Sequence, residues 1–456
     1  MTPSTQHKHA VAFDSPRIGL FDHMGFGNMG DAAILESFIK NIRKRIPRAE
    51  IVAFSLNPQD TATRHKIRTY PIRACDQPHS NTPFSEPQGP GLKARIKDLL
   101  RGYPFLHSVV RTLAYPFREI AHLMRSYEVV KSLDAFVLSG GGQLCELWRE
   151  LPYNVFKFSL LAKLSQTPLY IVGVGAGPLN HLWNRLFAQW SIGFSRFTSL
   201  RDTESQALLR SLGVTSELSV WPDPAYGLDL RDYLTAGSAD RGRPVVGLNP
   251  MGFCDPRIWP RRDQAIYREY LEKLTTFVRW LLAQDFEVEV FTGDIVVDHF
   301  AIDDLQECLR AEANGTFTGR LVFRPLLSLG ELLTQMSRFD YVVTSKFHGI
   351  VFSHLLSRPV IGLSYHSKID TLMRAAGHLE YCLDVEKFDV QTLKDRFQLL
   401  VHSKKGLQTE FRKFVANYAS ELERNFDHLT WSDGGLVGPL PSYHSGRLPF
   451  LAKETR

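Results

Sequence analysis

The chain has few cysteines and lacks long apolar runs, and each absence excludes a class of protein. Its 456 residues include 5 cysteines, an odd number with no C-x-x-C pair. This spacing predicts neither a zinc site nor a disulfide framework, and it favours a reducing environment. No apolar stretch approaches the length of about 20 residues that a membrane-spanning helix needs. The polar residues 1–14 lack the apolar segment of a secretion signal. We therefore expect a cytoplasmic protein that at most attaches to the inner face of the cell membrane.

The chain also lacks a strong excess of charge of either sign. The formal net charge is +6, with 44% hydrophobic and 22% charged residues, which is ordinary for a globular protein. So mild an excess of positive charge fits anionic substrates or an acidic membrane surface, but it does not predict nucleic-acid binding. The length exceeds that of a single hydrophobic core, so two domains are expected.

Alternating strand and helix patterns predict an α/β fold with two doubly wound, Rossmann-like domains that face a cleft. The first βαβ unit joins strand 17–22, helix 31–46 and strand 51–55. The expected domains are an N-terminal α/β domain over residues 15–240 and a C-terminal, donor-binding α/β domain over residues 241–406. Further strands are predicted near residues 135–139, 168–174, 197–200 and 217–221, and then near 244–249, 286–291, 320–324, 340–344 and 359–364.

Three segments lie outside this alternation. Residues 93–131 form a basic, aromatic insertion, predicted to be helical with interruptions at Pro104 and Pro116. Residues 407–430 form a closing helix, and residues 431–456 a Gly/Pro-rich, flexible tail. The insertion either presents a solvated face over the first domain or contacts anionic lipid headgroups as a peripheral membrane segment. Its cations are Lys93, Arg95, Lys97, Arg101, Arg111, Arg118, Arg125 and Lys131.

The first glycine-rich turn, Gly25-x-Gly27-x-x-Gly30, matches the dinucleotide-binding fingerprint by its letters. Asp31 follows at once, however, and would place a carboxylate where the pyrophosphate should lie. The second strand ends at residues 55–57 with no acid to hold a ribose. Two interpretations remain. Either Asp31 caps a tight strand-to-helix turn, or the turn faces the cleft and Asp31 approaches a substrate hydroxyl.

Two further glycine-rich turns follow strands of the first domain. The run Ser139–Gly142 supplies Gly141 and Gly142, and the run Gly173–Pro178 supplies Gly175. Glycine lets a ligand approach the backbone closely. Each turn alone is compatible with a tight crossover, but as a pair they predict the lining of one cleft.

Charged and hydroxyl side chains follow at the next strand ends. Arg201 ends a strand, and Ser205 lies in the first turn of a helix that Asp202 can cap. A guanidinium at this place suits bidentate binding of a carboxylate or phosphate. Asp223 lies in a Trp-Pro-Asp-Pro turn, and we interpret it as a turn-making residue rather than a catalytic one.

The most informative turns come late, at the carboxyl ends of two buried strands. The first carries Ser345, Lys346 and His348, and the second carries Tyr365, His366 and Lys368. A cation, a hydroxyl and an imidazole beside a helix N-terminus suit a small anion that also needs proton transfer. A lone histidine is more often a packing or capping residue, but Lys346 two residues earlier favours a catalytic role for His348.

Taken together, these motifs resemble the polysaccharide pyruvyl transferase family over about residues 17–385. Where the family typically has Ser-Arg-Leu-His, this chain has the run Ser345–His348 with Lys346 in the place of arginine, so the planar guanidinium fork is missing. The resemblance implies a fold like that of the two-domain GT-B glycosyltransferases. The matching segments are Gly27–Asp31, Leu138–Gly142, Arg201–Ser205, Asp223–Ala225, Ser345–His348, and Pro359–Tyr365 with Lys368.

The resemblance also implies transfer of a pyruvyl group from phosphoenolpyruvate to a sugar of a cell-surface polysaccharide or its lipid-linked precursor. The product is a cyclic ketal, and phosphate is released. Arg201 and Lys346 would bind the two anionic groups of the donor. His348 would donate the proton or meet the leaving phosphate, and Asp31 would accept a proton from the sugar. No metal or cofactor is expected, because fixed cations can neutralise both charges. The other substrate-binding candidates are Ser345, Ser205, Asn28, Gly30, Gly141, Gly142, Gly175 and Lys368.

Two alternatives stay open. The architecture also suits a nucleotide-sugar-dependent glycosyltransferase of polysaccharide biosynthesis, although residues 345–365 contain no Asp or Glu to hold a ribose. Because Lys346 stands where the family typically has arginine, the chain is also compatible with a non-catalytic partner in a polysaccharide-assembly complex. The sequence predicts no oligomeric state.

Overall fold

The structure is a computed structural model, and it confirms the predicted fold of two doubly wound α/β domains. It describes residues 15–22, 25, 27–74, 104–146, 150–234, 242–312, 319–324, 328–431 and 435–436. The strands of the first domain are β1 (Arg17–Phe21), β2 (Glu50–Ser55), β3 (Arg68–Pro71), β4 (Ala135–Ser139), β5 (Leu169–Val174), β6 (Phe197–Leu200) and β7 (Ser219–Val220). Those of the second are β8 (Val245–Asn249), β9 (Glu287–Val290), β10 (Leu321–Phe323), β11 (Tyr341–Thr344), β12 (Val360–Ser364) and β13 (Cys382–Asp384).

Helices connect these strands and cover both faces of each sheet. In the first domain they are α1 (Met29–Arg45), α2 (Pro58–His65), α3 (Pro104–Lys131), α4 (Leu151–Ser165), α5 (Leu182–Phe194) and α6 (Thr203–Ser211). In the second they are α7 (Gln264–Ala283), α8 (His299–Glu312), α9 (Leu329–Met336), α10 (Phe347–Leu355), α11 (Ser367–Ala375) and α12 (Val390–His402), followed by α13 (Lys404–Trp431).

The strand order places a crevice in each domain. Over the described residues the first sheet runs β3-β2-β1-β4-β5-β6-β7, and the second runs β10-β9-β8-β11-β12-β13. The strands in both sheets pair in parallel. The order therefore reverses between β1 and β4 and between β8 and β11, and open α/β sheets bind ligands at such switch points.

Apolar side chains on both faces of the strands form the cores. Alternate residues of β1 point to opposite faces, so Leu20 packs under α1 while Phe21 packs under α4. On the α4 side the ring of Phe158 lies 5.1 Å from that of Phe21 and 5.2 Å from that of Phe54. Burial on both faces is typical of parallel sheets and explains why these strands are nearly continuous apolar runs.

The break predicted at Pro116 is wrong, because α3 runs without interruption from Pro104 to Lys131. A proline inside a helix removes one backbone hydrogen bond, and tertiary contacts hold the helix beyond it. Lys157 of α4 lies 3.2 Å from Oε1 of Glu119, which ties α3 to its neighbour. Residues 93–103 of the predicted insertion lie outside the described residues.

The sequence pattern does not indicate β3 and β13, since edge strands of 4 and 3 residues carry no clear period. The predicted domain boundary between residues 240 and 241 lies outside the described residues, as do residues 432–434 and 437–456 of the predicted tail. Among the helices that the structure describes, none combines the length and the apolarity needed to cross a membrane.

The long helix α13 returns from the second domain and packs against the first. Nε of Arg45 lies 2.8 Å from Oδ1 of Asp427, and the same guanidinium lies 2.9 Å from Oε2 of Glu423. The rings of Phe38 and Phe426 meet edge to face at 5.3 Å. This helix therefore holds α1, and the glycine-rich turn before it, in place against the second domain.

Candidate active site

The two domains meet at the carboxyl ends of their sheets, where two loops hydrogen-bond across the cleft. The backbone N–H of Met29 donates to the carbonyl of Gly293 at 2.8 Å, and that of Ile295 donates to the carbonyl of Gly27 at 3.1 Å. The turn after β1 is thus paired with the loop after β9, and the start of α1 faces the second domain.

Asn28, and not Asp31, is the N-cap of α1. Its Oδ1 accepts hydrogen bonds from the backbone N–H groups of Gly30 at 2.9 Å and Asp31 at 3.4 Å. Gly30 itself lies against the second domain, since a Cβ atom there would fall 1.9 Å from Nδ1 of His348. A side chain at this position would displace the imidazole, so the last glycine of the motif serves close approach of the two domains.

His348, Asp223 and Arg201 come together in the cleft from three strand ends. Nε2 of His348 lies 3.8 Å from Oδ1 of Asp223, and Nη1 of Arg201 lies 3.9 Å from Oδ2 of the same carboxylate. The side chains are 15%, 3% and 8% exposed, respectively. Among the described residues, His348 Nε2, Asp223 Oδ2 and Arg201 Nε are buried atoms that make no hydrogen bond. Three unsatisfied polar atoms in one crevice indicate a site for a polar ligand.

Asp223 has both the role that the sequence predicts and one that it does not. Its Oδ1 accepts a hydrogen bond from the backbone N–H of Ala225 at 3.0 Å, which makes the turn. Burial alone would raise the pKa of this carboxyl, but His348, Arg201 and the Ala225 N–H outweigh it, and the pKa is lowered. Asp223 is therefore an anion beside His348. Its position at a strand end, in a segment that resembles the family, is the sequence feature that could have indicated this second role.

The guanidinium of Arg201 lies against Gly175 and Gly142 on one side and the ring of Phe347 on another. A Cβ atom on Gly175 would fall 2.6 Å from its Nε, and one on Gly142 would fall 4.0 Å from Nη2. The guanidinium carbon lies 4.8 Å from the ring centre of Phe347, a cation–π contact. Gly141 has φ +71° and lies nearer to Asp22 than to the arginine. The paired glycine turns thus make room for a buried arginine.

Lys346 is already paired with carboxylates of its own domain. Its Nζ lies 2.7 Å from Oδ1 of Asp298 and 3.7 Å from Oδ2 of Asp294. Burial would lower the pKa of Lys346, but these two acids outweigh it and raise the pKa. Burial also raises the pKa of Asp298 to about 6, against the opposing effect of Lys346. The sequence analysis missed both acids, although they follow β9 at the cleft edge of the sheet.

A further cation of the cleft, Lys368, lies at the start of α11. Nζ of Lys368 is 5.2 Å from the ring centre of Tyr365. Burial would raise the pKa of Tyr365, but Lys368, Lys346 and Arg201 outweigh it and lower the pKa. Burial, Lys368 and Arg201 together lower the pKa of His366 to about 4. Shifts in these directions indicate a local excess of positive charge, which favours an anionic ligand.

Asp31 lies between acids and cations of the cleft. Burial raises its pKa to about 6; Asp294 and Asp223 add to the rise, and His348 and Lys368 oppose it. A carboxyl with this pKa exchanges a proton near neutral pH, which is the property expected of a general acid or base.

Two predicted binding residues have their hydroxyls satisfied inside their own domains. Ser345 is fully buried, and its Oγ lies 3.0 Å from the hydroxyl of Tyr270. Oγ of Ser205 accepts a hydrogen bond from the backbone N–H of Ala176 at 2.9 Å. The structure therefore gives both serines loop-holding contacts, while His348, Arg201, Gly30 and Gly175 meet at the cleft.

The fold is of the GT-B type, with two facing Rossmann-like domains. The chain is similar to UDP-bound MnaA of S. aureus at a TM-score of 0.56 and 12% identity, covering 91% of this chain and 95% of that one. It is also similar to the UDP-GlcNAc 2-epimerase of Methanocaldococcus jannaschii, at 0.53 and 10%, covering 85% and 92%. The Neisseria meningitidis enzyme bound to UDP-GlcNAc gives 0.51 and 10%, covering 90% and 98%. Identities this low establish the fold alone.

The family follows from the sequence match. The model of the polysaccharide pyruvyl transferase family matches residues 28–367. This range contains the glycine-rich turns at residues 139–142 and 173–178 and, except for Lys368, the side chains of the cleft described above. The chain belongs to the polysaccharide pyruvyl transferase family.

Proposed function

We propose that the protein transfers the pyruvyl group of phosphoenolpyruvate to two neighbouring hydroxyls of a sugar, forming a cyclic ketal and releasing phosphate. The acceptor is a sugar of a cell-surface polysaccharide or of its lipid-linked precursor. Membership of the family supports pyruvyl transfer. The observation that carries the choice of donor is the cleft itself, where a buried arginine and a histidine have unsatisfied nitrogen atoms beside further cations.

The donor carries a carboxylate and a phosphate, and the cleft offers cations for both. Arg201 lies over the ring of Phe347 and presents a planar fork, which suits the carboxylate. Lys368 and the N-termini of α10 and α11 suit the phosphate. Lys346 lies at the same mouth, although Asp298 neutralises part of its charge. In this arrangement Lys346 supports the electrostatics of the site more than it grips the donor.

The reaction needs one proton delivered and two removed. Protonation of the methylene carbon of phosphoenolpyruvate makes the central carbon electrophilic, and the first sugar hydroxyl attacks it and loses its proton. The second hydroxyl then displaces phosphate and loses its proton in turn. The two hydroxyl protons balance the one on the new methyl group and the one carried away by phosphate. His348, held beside Asp223, delivers the proton to carbon, and Asp31 accepts one from the acceptor.

The test is direct. The purified protein is incubated with phosphoenolpyruvate and a panel of pyranose acceptors, including lipid-linked oligosaccharides, while phosphate release and the ketal methyl signal are followed. We expect both signals to appear together in a one-to-one ratio. Arg201→Lys should weaken phosphoenolpyruvate binding by about tenfold, because the charge remains but the fork is lost. Arg231→Lys is the matched control, since that side chain is 90% exposed.

A second candidate function can be tested by thermal unfolding in the presence of each possible donor. Two of the similar structures contain UDP or UDP-GlcNAc, so a nucleotide-sugar-dependent glycosyltransferase is the second candidate. If UDP raises the midpoint of thermal unfolding and phosphoenolpyruvate does not, the pyruvyl-donor assignment is wrong. The absence of turnover over the whole panel, with phosphoenolpyruvate bound, would favour a non-catalytic partner.

A further inference from the structure

The outer surface of the first domain carries an exposed aromatic face. Helices α4 and α5 pack side by side over the sheet face opposite to α1, so their outer sides point away from the second domain. Trp183 is 63% exposed, Leu182 is 66%, Tyr153 is 42% and Trp190 is 40%. We call this set, together with the partly buried Phe156 and Phe187 beneath it, the aromatic face.

The members of the aromatic face support one another. The rings of Phe156 and Phe187 stack at 4.9 Å, and Trp190 lies 5.3 Å from Phe156. Trp183 and Tyr153 lie 6.2 Å and 5.7 Å from Phe187. This is a continuous, ordered surface and not a scatter of single apolar residues, and surfaces of this kind mark interaction sites.

The helices of the aromatic face carry basic side chains and no acids of their own. Of the acids that precede them, Glu150 lies 2.6 Å from Arg73, and Glu146 accepts hydrogen bonds from the backbone N–H groups of Asn180 and His181. Neither α4 nor α5 contains an Asp or Glu, and their cations are Lys157, Lys163 and Arg185. Lys157 is paired with Glu119, so Lys163 and Arg185 are the exposed ones. The neighbouring α3 adds exposed apolar side chains, with Ile120 55% exposed and Met124 67% exposed. An apolar surface whose helices carry cations and no acids, and whose flanking acids are already bonded, is complementary to an anionic, partly apolar partner.

The position of the aromatic face relates it to the cleft. Tyr153, Leu182 and Trp183 lie in the first turns of α4 and α5. In a parallel sheet those turns follow the carboxyl ends of β4 and β5, which is the edge where the cleft opens. A surface that covered the aromatic face would therefore lie beside the cleft mouth without filling it.

We infer that the aromatic face docks on an anionic lipid bilayer. Trp and Tyr side chains have an apolar body and a polar edge, and they favour the headgroup level of a membrane. Lys163 and Arg185 add attraction to anionic headgroups. The assignment is independent of the pyruvyl transfer proposed above. Its main residues lie on α4 and α5, outside the predicted insertion at residues 93–131, which contributes only Ile120 and Met124 of α3 at the border. It holds the protein at the place where a lipid-linked sugar would present its acceptor hydroxyls.

Vesicle flotation tests the inference with the full chain. Vesicles of phosphatidylcholine alone are compared with vesicles that also contain phosphatidylglycerol. We expect the protein to float with the anionic vesicles, and less so at high salt, where the attraction is screened. The double substitution Leu182→Gln/Trp183→Ser should weaken binding about tenfold, since it removes two large apolar contacts. Leu399→Ser is the matched control, because Leu399 is 38% exposed on α12 of the second domain.

Three readouts separate the possible outcomes. Trp183→Phe keeps an apolar ring, so it should still float but should lose part of the fluorescence quenching by lipids brominated in their acyl chains. The far-ultraviolet circular dichroism spectrum and the thermal midpoint should be unchanged in the double variant, which shows that it folds. The inference is overturned if the wild type does not float, or if it floats equally well after Leu182→Gln/Trp183→Ser. A dimer in light scattering that this double substitution dissociates would make a second copy the occupant, and would also overturn it.

Discussion

Nε2 of His348, from the second domain, lies 3.8 Å from Oδ1 of Asp223, from the first. The two residues are 125 positions apart in sequence. Because one partner comes from each domain, the imidazole and carboxylate are together only when the domains face each other as they do here. The site therefore depends on the contacts that join the domains as much as on its own side chains.

Asp223→Asn should lower kcat about a hundredfold and change the KM for phosphoenolpyruvate little. The amide keeps an Oδ1 that can accept the Ala225 N–H, so the turn survives, but it no longer stabilises a positive charge on His348. Steady-state kinetics measure the changes in kcat and KM separately. Asp229→Asn is the matched control, since Asp229 makes the same kind of cap two turns later and is remote from His348. An unchanged kcat in Asp223→Asn would remove the carboxylate from the mechanism.

Gly30→Ala should abolish most of the activity while the protein stays folded. The added Cβ would lie 1.9 Å from Nδ1 and 2.3 Å from Cγ of His348, so the imidazole or the whole domain interface has to shift. Misplacement of a catalytic group by about 1 Å is expected to cost about a hundredfold in rate. Gly193→Ala in α5 controls for the substitution itself, because a Cβ there meets nothing within 4 Å. Full activity in Gly30→Ala would show that the His348 position is not needed.

Lys346→Met should destabilise the protein by about 3 kcal/mol at pH 8, because it leaves the buried Asp298 without its cation. The loss should be smaller at pH 5, since the pKa of Asp298, about 6 in the native protein, rises further without Lys346 and the carboxyl is then neutral. Thermal unfolding of Lys346→Met and of the wild type at the two pH values measures this loss of stability.

The double variant Lys346→Met/Asp298→Asn separates structure from binding. It removes both charges, so most of the lost stability should return. The affinity for phosphoenolpyruvate should fall less than in Arg201→Lys if Lys346 mainly supports the site. A double variant that remains as unstable as Lys346→Met would contradict the pairing with Asp298.

Asp31→Asn should lose activity and gain stability at alkaline pH. The folded-state pKa of Asp31 is raised from 3.8 to about 6, so the folded state binds this proton more tightly than the unfolded state. The stability contribution of Asp31 is therefore highest below pH 3.8 and declines as the pH rises through about 6. The amide variant lacks this decline and should be about 1 kcal/mol more stable at pH 8, after allowance for solvent screening.

The measurement is the difference in thermal midpoint between Asp31→Asn and the wild type at several pH values. The difference should be positive at pH 8 and shrink toward zero near pH 4. Asp395→Asn, on the exposed side of α12, controls for the loss of one negative charge. A difference that does not change with pH would contradict the raised pKa of Asp31.

The local pattern of apolar residues was sufficient to predict most of the strands. Apolar runs such as the one at β4 placed the strands within one or two residues, because parallel strands buried on both faces have few polar positions. The rule that ligands bind at the carboxyl ends of such strands then selected Arg201, Lys346 and His348. The edge strands β3 and β13 and the unbroken α3 were missed, because packing on neighbouring elements and not local propensity decides them.

The sequence by itself determined the class of fold, the family and the residue types available for anion binding and proton transfer. These depend on hydrophobic period, turn glycines and local motifs, which are read over a few residues. Only the tertiary structure decided that Asp223 stands beside His348, that Asp298 holds Lys346 and that Gly30 touches the opposite domain. Those pairings join residues far apart in the chain, and the packing of α1 and α13 between the domains brings them together.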